Sequence, residues 1–356
     1  MKILFTFYIP NGGVETLNRL RNQALRQLGM ECHFLYLQSG VGMQNITDTF
    51  IYTTSLDEEI ANIIALQQFD AVVVTSDVYL PERLRRLHYK GPIIYEVQGL
   101  GTKEEAIQTL HEGKELLQAH CCAALMPPTS HLVELVTQIC PLLPKFIYQN
   151  PLNTVEFSPL SVPKHPSPIV GWVGRLEPNK NWRECLEIIY WLIVNQSEIE
   201  AWMFIDMSLA TKQSKEDFFN RVTELGLENK VNIFPNVLHN EMPYYYSIIA
   251  ESSGLLLSTS IMEGFGYAVA EALSCSCPVL STDSDGVRSF IIHNVTGKFY
   301  EKGQIPQAVR EAFELIHHSI LREQIRSQAR KYMITHFDSS QYASSFLDMM
   351  HALNIY

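Results

Sequence analysis

The sequence predicts an α/β protein made of two doubly wound, parallel-sheet domains. Short, wholly apolar segments such as Ala71-Val-Val-Val-Thr75 alternate with amphipathic helices along the chain, as strands covered on both faces require. The length, 356 residues, exceeds what one such sheet ordinarily needs. Seven of the seventeen prolines fall between Pro141 and Pro168. Neither a helix nor a central strand can propagate through them, so the domain boundary is placed there.

Composition narrows the function classes. At 46% hydrophobic and 18% charged residues, the chain has ample apolar material for two cores and is unlike a disordered segment. The formal net charge of -11 disfavours a nucleic-acid partner, which requires a basic face. No apolar run approaches the roughly 20 residues that cross a bilayer. Lys2 to Ile9 is too short, lacks a cleavage-type site and reads as a first buried strand. The seven cysteines form no C-x-x-C pair, so reduced, buried thiols in the cytoplasm are expected. A zinc site from His120, Cys121 and Cys122 is set aside, because adjacent strand residues point to opposite faces.

In order, the first strand ends at Pro10-Asn-Gly-Gly13. Val14, Leu17, Leu20, Ala24, Leu25 and Leu28 then recur at helical spacing, and Gly29 closes that helix. A strand, a glycine turn and a helix N-terminus make an anion seat, where Gly12 and Gly13 let backbone come close. Further strands are expected at Cys32 to Leu37, Ala71 to Thr75, Ile93 to Val97 and Ala123 to Met126, with Cys121 and Cys122 leading into the last. Helices are expected at Asp57 to Gln68, Pro81 to His88 and Lys103 to Gln118. The cations Arg83, Arg85, Arg86, His88 and Lys90 read as a solvated helix face, in preference to a contact for an anionic acceptor or a membrane.

The second domain opens with the strand Ile169 to Val173, then Gly174-Arg175 through Lys180-Asn181, then a helix with Trp182, Cys185, Leu186, Ile189 and Leu192 inward. Arg175 and Lys180 thus project from one strand-to-helix connection, where α/β sheets bind ligands. A guanidinium and an ammonium there can neutralise a diphosphate together, as fork and point charge. Strands at Ala201 to Asp206, Val231 to Phe234, Gly254 to Leu257, Pro278 to Ser281 and Gly297 to Tyr300 complete the sheet. Helices follow at Met242 to Ile249, after Gln304, after Leu321 and over Ser339 to Asn354.

The stretch Ser258 to Val279 is the centre of the chain's chemistry. Glu263 and Glu271 bracket Gly264-Phe265-Gly266-Tyr267, between a strand and a helix over Tyr267 to Ser274. Eight helical residues turn through about 800° and rise about 12 Å. Glu263 is therefore assigned to the loop at the helix mouth and Glu271 to more than a turn inside. The amides at that mouth favour an anion or a ring of hydroxyls.

Glu263-Gly-Phe-Gly…Glu271-Ala-Leu…Pro278-Val resembles the E-x7-E signature of retaining glycosyltransferases of family 4, which have the GT-B fold. Gly286-Val-Arg-Ser, Val295-Thr-Gly297 and the G-R-x4-K of Gly174 to Lys180 follow the same pattern. So does Asn150-Pro-Leu-Asn153…Phe157-Ser-Pro159, the exit from the first domain. The resemblance implies two Rossmann-like domains facing each other across a cleft. Residues 1–155 would take the acceptor and residues 156–337 the nucleotide sugar, with 338–356 packing back on the first domain.

The activity implied is retaining, metal-independent transfer of a hexose from UDP-glucose or a related UDP-sugar. The acceptor would be a saccharide or lipid-linked saccharide in bacterial polysaccharide or glycoconjugate assembly. Arg175, Lys180 and Glu263 are implied as catalytic, the two cations stabilising the leaving diphosphate with the Gly13 amide and Glu263 touching the transferred sugar. Glu271 would hold the ribose hydroxyls, with Gly12, Gly13, Gln98, Gly264, Phe265, Gly266 and Tyr267 completing the nucleotide-sugar site. No cofactor is expected. Asp283-Ser-Asp285 has the D-x-D form that binds Mg²⁺ or Mn²⁺ in the other large glycosyltransferase fold, but it falls in an ordinary loop of this one, and no catalytic metal is expected.

One position departs from the family. Gln98 stands where a histidine commonly precedes glycine, and an amide cannot exchange a proton near neutral pH. That leaves open a catalytically weakened nucleotide-sugar-binding protein of the same fold; a GT-B nucleotide-sugar epimerase is a separate alternative. The expected place of action is the cytoplasm, with peripheral contact at the inner membrane face left open.

Overall fold

The structure, a computed structural model, describes residues 1–46 and 48–356. It divides into two units, Met1–Leu152 with Phe337–Tyr356, and Asn153–His336. The chain crosses between them after residues 152 and 336, where crossings after 155 and 337 were expected.

The strands of the first unit are β1 (Lys2–Phe7), β2 (Glu31–Tyr36), β3 (Phe50–Thr53), β4 (Ala71–Thr75), β5 (Ile93–Glu96), β6 (Ala123–Met126) and β7 (Lys145–Ile147). They form one parallel sheet in the order β3-β2-β1-β4-β5-β6-β7. Helices α1 (Gly12–Arg26), α2 (Asp57–Gln67), α3 (Leu80–Arg86), α4 (Lys103–His120) and α5 (Ser130–Ile139) connect them. Strand alternation sends Leu4, Val72 and Val74 into one apolar layer and Ile3, Phe5 and Val73 into the other, so both faces are covered.

In the second unit β8 (Ile169–Gly174), β9 (Glu200–Ile205), β10 (Val231–Pro235), β11 (Leu255–Ser258), β12 (Val279–Thr282) and β13 (Lys298–Tyr300) form a parallel sheet. Its order is β10-β9-β8-β11-β12-β13. Its helices are α6 (Trp182–Asn195), α7 (Lys212–Glu224), α8 (Met242–Glu251), α9 (Tyr267–Ser274), α10 (Ile305–His317) and α11 (Ser319–His336). The last helix, α12 (Ser339–Ala352), belongs to the first unit. There Tyr342, Phe346, Met349 and Met350 pack with Ile3, Phe5 and Phe34, and the Phe5 and Phe346 rings lie 5.9 Å apart.

Several elements depart from the sequence reading. The edge strands β3 and β7 and the helices α5 and α7 were not expected. β3 and β7 are short and partly exposed, so they lack the apolar run that marks a central strand, and α7 buries only Phe218 and Val222. β1 stops at Phe7, and α1 begins at Gly12, so both glycines lie in the first helical turn. Cys121 caps α4 and is not part of a strand. Nor is the basic stretch around α3 all solvated: Arg85 donates to the carbonyls of Tyr89, Gly91 and His120 at 2.7–2.9 Å, tying the loop before β5 to the end of α4. Among the described residues no helix is long and apolar enough to cross a membrane.

Both sheets reverse their winding beside the first strand of the unit, between β1 and β4 and between β8 and β11. At such a switch point adjacent connections leave in opposite directions and open a crevice at the strands' carboxyl ends. Gly12 and Gly13 follow β1, and the segments with Arg175, Lys180 and Glu263 follow β8 and β11.

Candidate functional site

In the second unit two loops leave the adjacent carboxyl ends of β8 and β11. Asn179 joins them: its carbonyl accepts from the Ile261 amide at 2.8 Å. Its side chain donates to the Met262 carbonyl at 2.9 Å and accepts from the Met262 amide at 3.1 Å. Thr259 adds a fourth hydrogen bond, donating to the Lys180 carbonyl at 2.8 Å while its hydroxyl accepts from Trp172 Nε1 at 3.1 Å. Each net hydrogen bond stabilises by about 1 kcal/mol; together they fix where the Lys180 side chain starts.

Lys180 Nζ consequently reaches Glu263 Oε1 at 2.5 Å, with the two side chains 20% and 16% exposed. Glu263 is held from its other side by the loop after β12. Its amide donates to the Ser284 carbonyl at 2.9 Å, and its carbonyl accepts from the Gly286 amide at 3.1 Å. Arg175 stands on the same β8 loop, more exposed, with Nη2 3.0 Å from Glu177 Oε1.

The turn to α9 runs through Gly264 to Tyr267. Gly266 caps the helix at φ 95°, a left-handed conformation that favours glycine. Phe265 and Tyr267 are buried, their ring centroids 4.8 Å apart, and Phe265 also meets Phe290 at 5.3 Å. Their side chains are core, which leaves the backbone at the mouth of α9 as their means of touching a ligand. Glu271 lies inside the helix and is almost wholly buried. Its Oε1 is 2.7 Å from His239 Nε2, and its Oε2 accepts from Tyr246 Oη at 3.3 Å. Burial, with the Glu271 carboxylate beside it, pushes the Tyr246 phenol well above its ordinary value, so it remains a donor.

The structure thus brings Lys180, Glu263, Gly264–Tyr267 and Glu271 together in one unit, with Arg175 on the same loop as Lys180. Gly12, Gly13 and Gln98 belong to the first unit. Gly12 opens α1 at φ 65°, and both glycines are exposed. Gln98 follows β5, and its amide is engaged at both ends. It donates to Asn150 Oδ1 and Glu96 Oε1 at 3.1 Å and accepts from Asn150 Nδ2 at 2.7 Å. Beneath it Glu96, fully buried, receives two bonds from Arg21 Nη2 at 2.7 and 2.9 Å and one from Thr75 at 2.7 Å. The D-x-D carboxylates face a cation of the chain: Arg288 holds both oxygens of Asp283 at 2.7 and 2.8 Å and reaches Asp285 at 3.4 Å.

Sequence reading missed Asn179, Thr259 and His239. Asn179 lies inside the G-R-x4-K segment, where a loop asparagine as partner to a second loop could have been suspected. Nothing local marks His239, whose partner is 32 residues away.

Two parallel, switch-point sheets with this connectivity define the GT-B class of fold. The Anabaena protein Alr3699/HepE in complex with UDP-glucose superposes with a TM-score of 0.84 over 99% of this chain and 100% of its own, at 16% identity. Sucrose-phosphate synthase from Thermosynechococcus elongatus gives 0.84 over 99% of each chain at 13% identity. Residues 156–332, within the second unit, match the family described as Glycosyl transferases group 1. Poly(ribitol-phosphate) alpha-N-acetylglucosaminyltransferase of Staphylococcus aureus is 23% identical over 215 residues, 59% of this chain and 41% of that protein. N-acetyl-alpha-D-glucosaminyl L-malate synthase of Bacillus anthracis is 29% identical over 102 residues, 28% of this chain and 27% of that one. The chain spans less than half the length of either curated relative.

Proposed function

We propose that the protein is a retaining, metal-independent glycosyltransferase that moves a hexose from a UDP-sugar such as UDP-glucose to a saccharide or lipid-linked saccharide, in assembly of a polysaccharide or glycoconjugate. The observation that carries this reading is the Lys180–Glu263 contact at the mouth of α9, with Glu271 buried one turn inside. The spacing gives a donor two carboxylate contacts, one for the sugar and one for the ribose, with the Lys180 ammonium on the first of them. The UDP-glucose complex of the Anabaena fold relative supports a uridine donor.

In this reading the leaving diphosphate gathers negative charge as the glycosidic bond breaks, and preorganised cations stabilise that charge most in the transition state. Lys180 and Arg175 supply those cations from the β8 loop. Glu263, anchored through one oxygen by Lys180, keeps acceptor capacity for a sugar hydroxyl. Glu271 accepts from the ribose hydroxyls. Metal independence is supported by Arg288, which occupies both oxygens of Asp283.

Incubation with UDP-, GDP- and ADP-sugars, followed by NMR of the products, tests the proposal. UDP release with a product of the donor's anomeric configuration supports it. Thermal stabilisation by UDP-sugars without turnover would make the protein a binding protein. An altered sugar still linked to the nucleotide would make it an epimerase.

A further inference from the structure

We infer that His239 is a positioning residue for the nucleotide: it sets the Glu271 carboxylate for the ribose, and the Phe157 ring in turn sets His239. The inference rests on the reading of Glu271 given above and extends it to two residues that contact Glu271 directly or through one neighbour.

The imidazole sits on the turn His239–Glu241, just before α8. Its Nε2 is 2.7 Å from Glu271 Oε1. An ionised carboxylate only accepts, so Nε2 carries the proton in this contact. A hydrogen bond to a charged acceptor is stronger than a neutral one, and here the carboxylate is almost wholly buried, where an unmet acceptor is most costly. Tyr246 meets the other oxygen at 3.3 Å, so one donor on each side fixes the plane of the carboxylate. The remaining lone pairs then have a defined direction, which a pair of vicinal hydroxyls requires.

The ring is itself braced. Its centroid is 4.8 Å from that of Phe157, which is fully buried. The Phe157 carbonyl accepts from Ser274 Oγ at 2.6 Å and from Arg330 Nη1 at 2.9 Å. Arg330 also holds the Ser274 carbonyl at 2.8 Å. Ser274 is the last residue of α9, the helix that carries Glu271. One end of the helix is thereby tied to the segment that braces the histidine, and His239 bonds the carboxylate at its middle. A disturbance of residues 153–157, where the unit begins, reaches Glu271 through the ring contact with His239 and through the Ser274 bond at the end of α9.

The test is UDP binding by calorimetry, with steady-state kinetics on the donor sugar. His239→Ala should weaken UDP binding and raise the donor KM at least about tenfold, with kcat little changed. His239→Gln, whose amide nitrogen reaches the same place, should restore most of the affinity, whereas His239→Phe, which keeps the stacking and loses the donor, should not. Phe157→Ala should weaken UDP binding in wild type and have no further effect in His239→Ala. Equal affinity of His239→Ala and wild type would overturn the inference, as would a loss confined to kcat, or His239→Phe matching His239→Gln. Failure of wild type to bind any nucleoside diphosphate would instead remove the reading of Glu271 itself. Thermal melting of each variant separates a lost contact from a lost fold.

Discussion

Lys180 Nζ and Glu263 Oε1 are 2.5 Å apart although the residues are 83 positions apart in sequence and sit on loops after different strands. The pair is mostly shielded, at 20% and 16% side-chain exposure, so each charge depends on the other more than an exposed pair would. It exists because Asn179 and Thr259 lock the β8 loop to the β11 loop. The loop after β12 fixes Glu263 from behind.

That third support gives a prediction at Gly286. A Cβ there would lie 2.5 Å from the Glu263 carbonyl oxygen and 2.7 Å from the Gly264 carbonyl carbon. Both are backbone atoms, so the turn must shift. Gly286→Ala should fold yet lose about a hundredfold in turnover, the usual consequence of displacing a reacting group by about 1 Å. Measured kcat with circular dichroism checks it.

The D-x-D segment predicts indifference to metal. With Arg288 on both oxygens of Asp283, extensive chelation followed by assay should leave the rate unchanged, and Asp283→Asn should do the same. Full dependence on added Mn²⁺ would count against the assignment.

Lys298 carries a stability prediction. Its ammonium is wholly buried, 2.8 Å from Glu311 and also bonded to Glu314. Burial pushes the Glu311 carboxyl up, but the Lys298 ammonium together with Arg310 and His293 outweighs it, and the net value lies below the ordinary 4.5. A depressed carboxylate contributes stability that is complete above the ordinary value and lost as pH falls through the folded one. Melting temperature should therefore drop below pH 4.5, and less steeply in Lys298→Met than in wild type. Lys298→Ala should cost about 1–3 kcal/mol, read by denaturant unfolding, because it leaves the shielded Glu311 carboxylate with Arg310 alone.

Gln98 and Asn150 should act as one unit. Their side-chain amides bond each other reciprocally, so Gln98→Leu and Asn150→Leu should each destabilise by about 1–3 kcal/mol. The double variant should cost no more than the worse single one, which a double-mutant cycle in urea will read.

How much of this the sequence carried follows from what each feature depends on. Central strands such as Ala71–Thr75 are buried on both faces and so announce themselves as apolar runs. β3 and β7 lie at sheet edges, and their mixed residues look like loop. The glutamates and their turn were legible because loop, helix mouth and helix are contiguous. Gln98 was read as a ligand group, whereas its partner Asn150 is 52 residues away. His239 was missed for the same reason: a lone histidine before a helix has no periodicity, and its partner Glu271 is met only once α8 and α9 pack in the fold.

The most direct test of the central claim is the turnover of Lys180→Ala and Glu263→Ala at saturating donor sugar, followed as UDP release. Under the proposed function each removes a preorganised group from the departing diphosphate or the transferred sugar, which should lower kcat at least about a hundredfold, with melting temperature showing that the protein still folds. Rates within a few-fold of wild type in both would contradict the account.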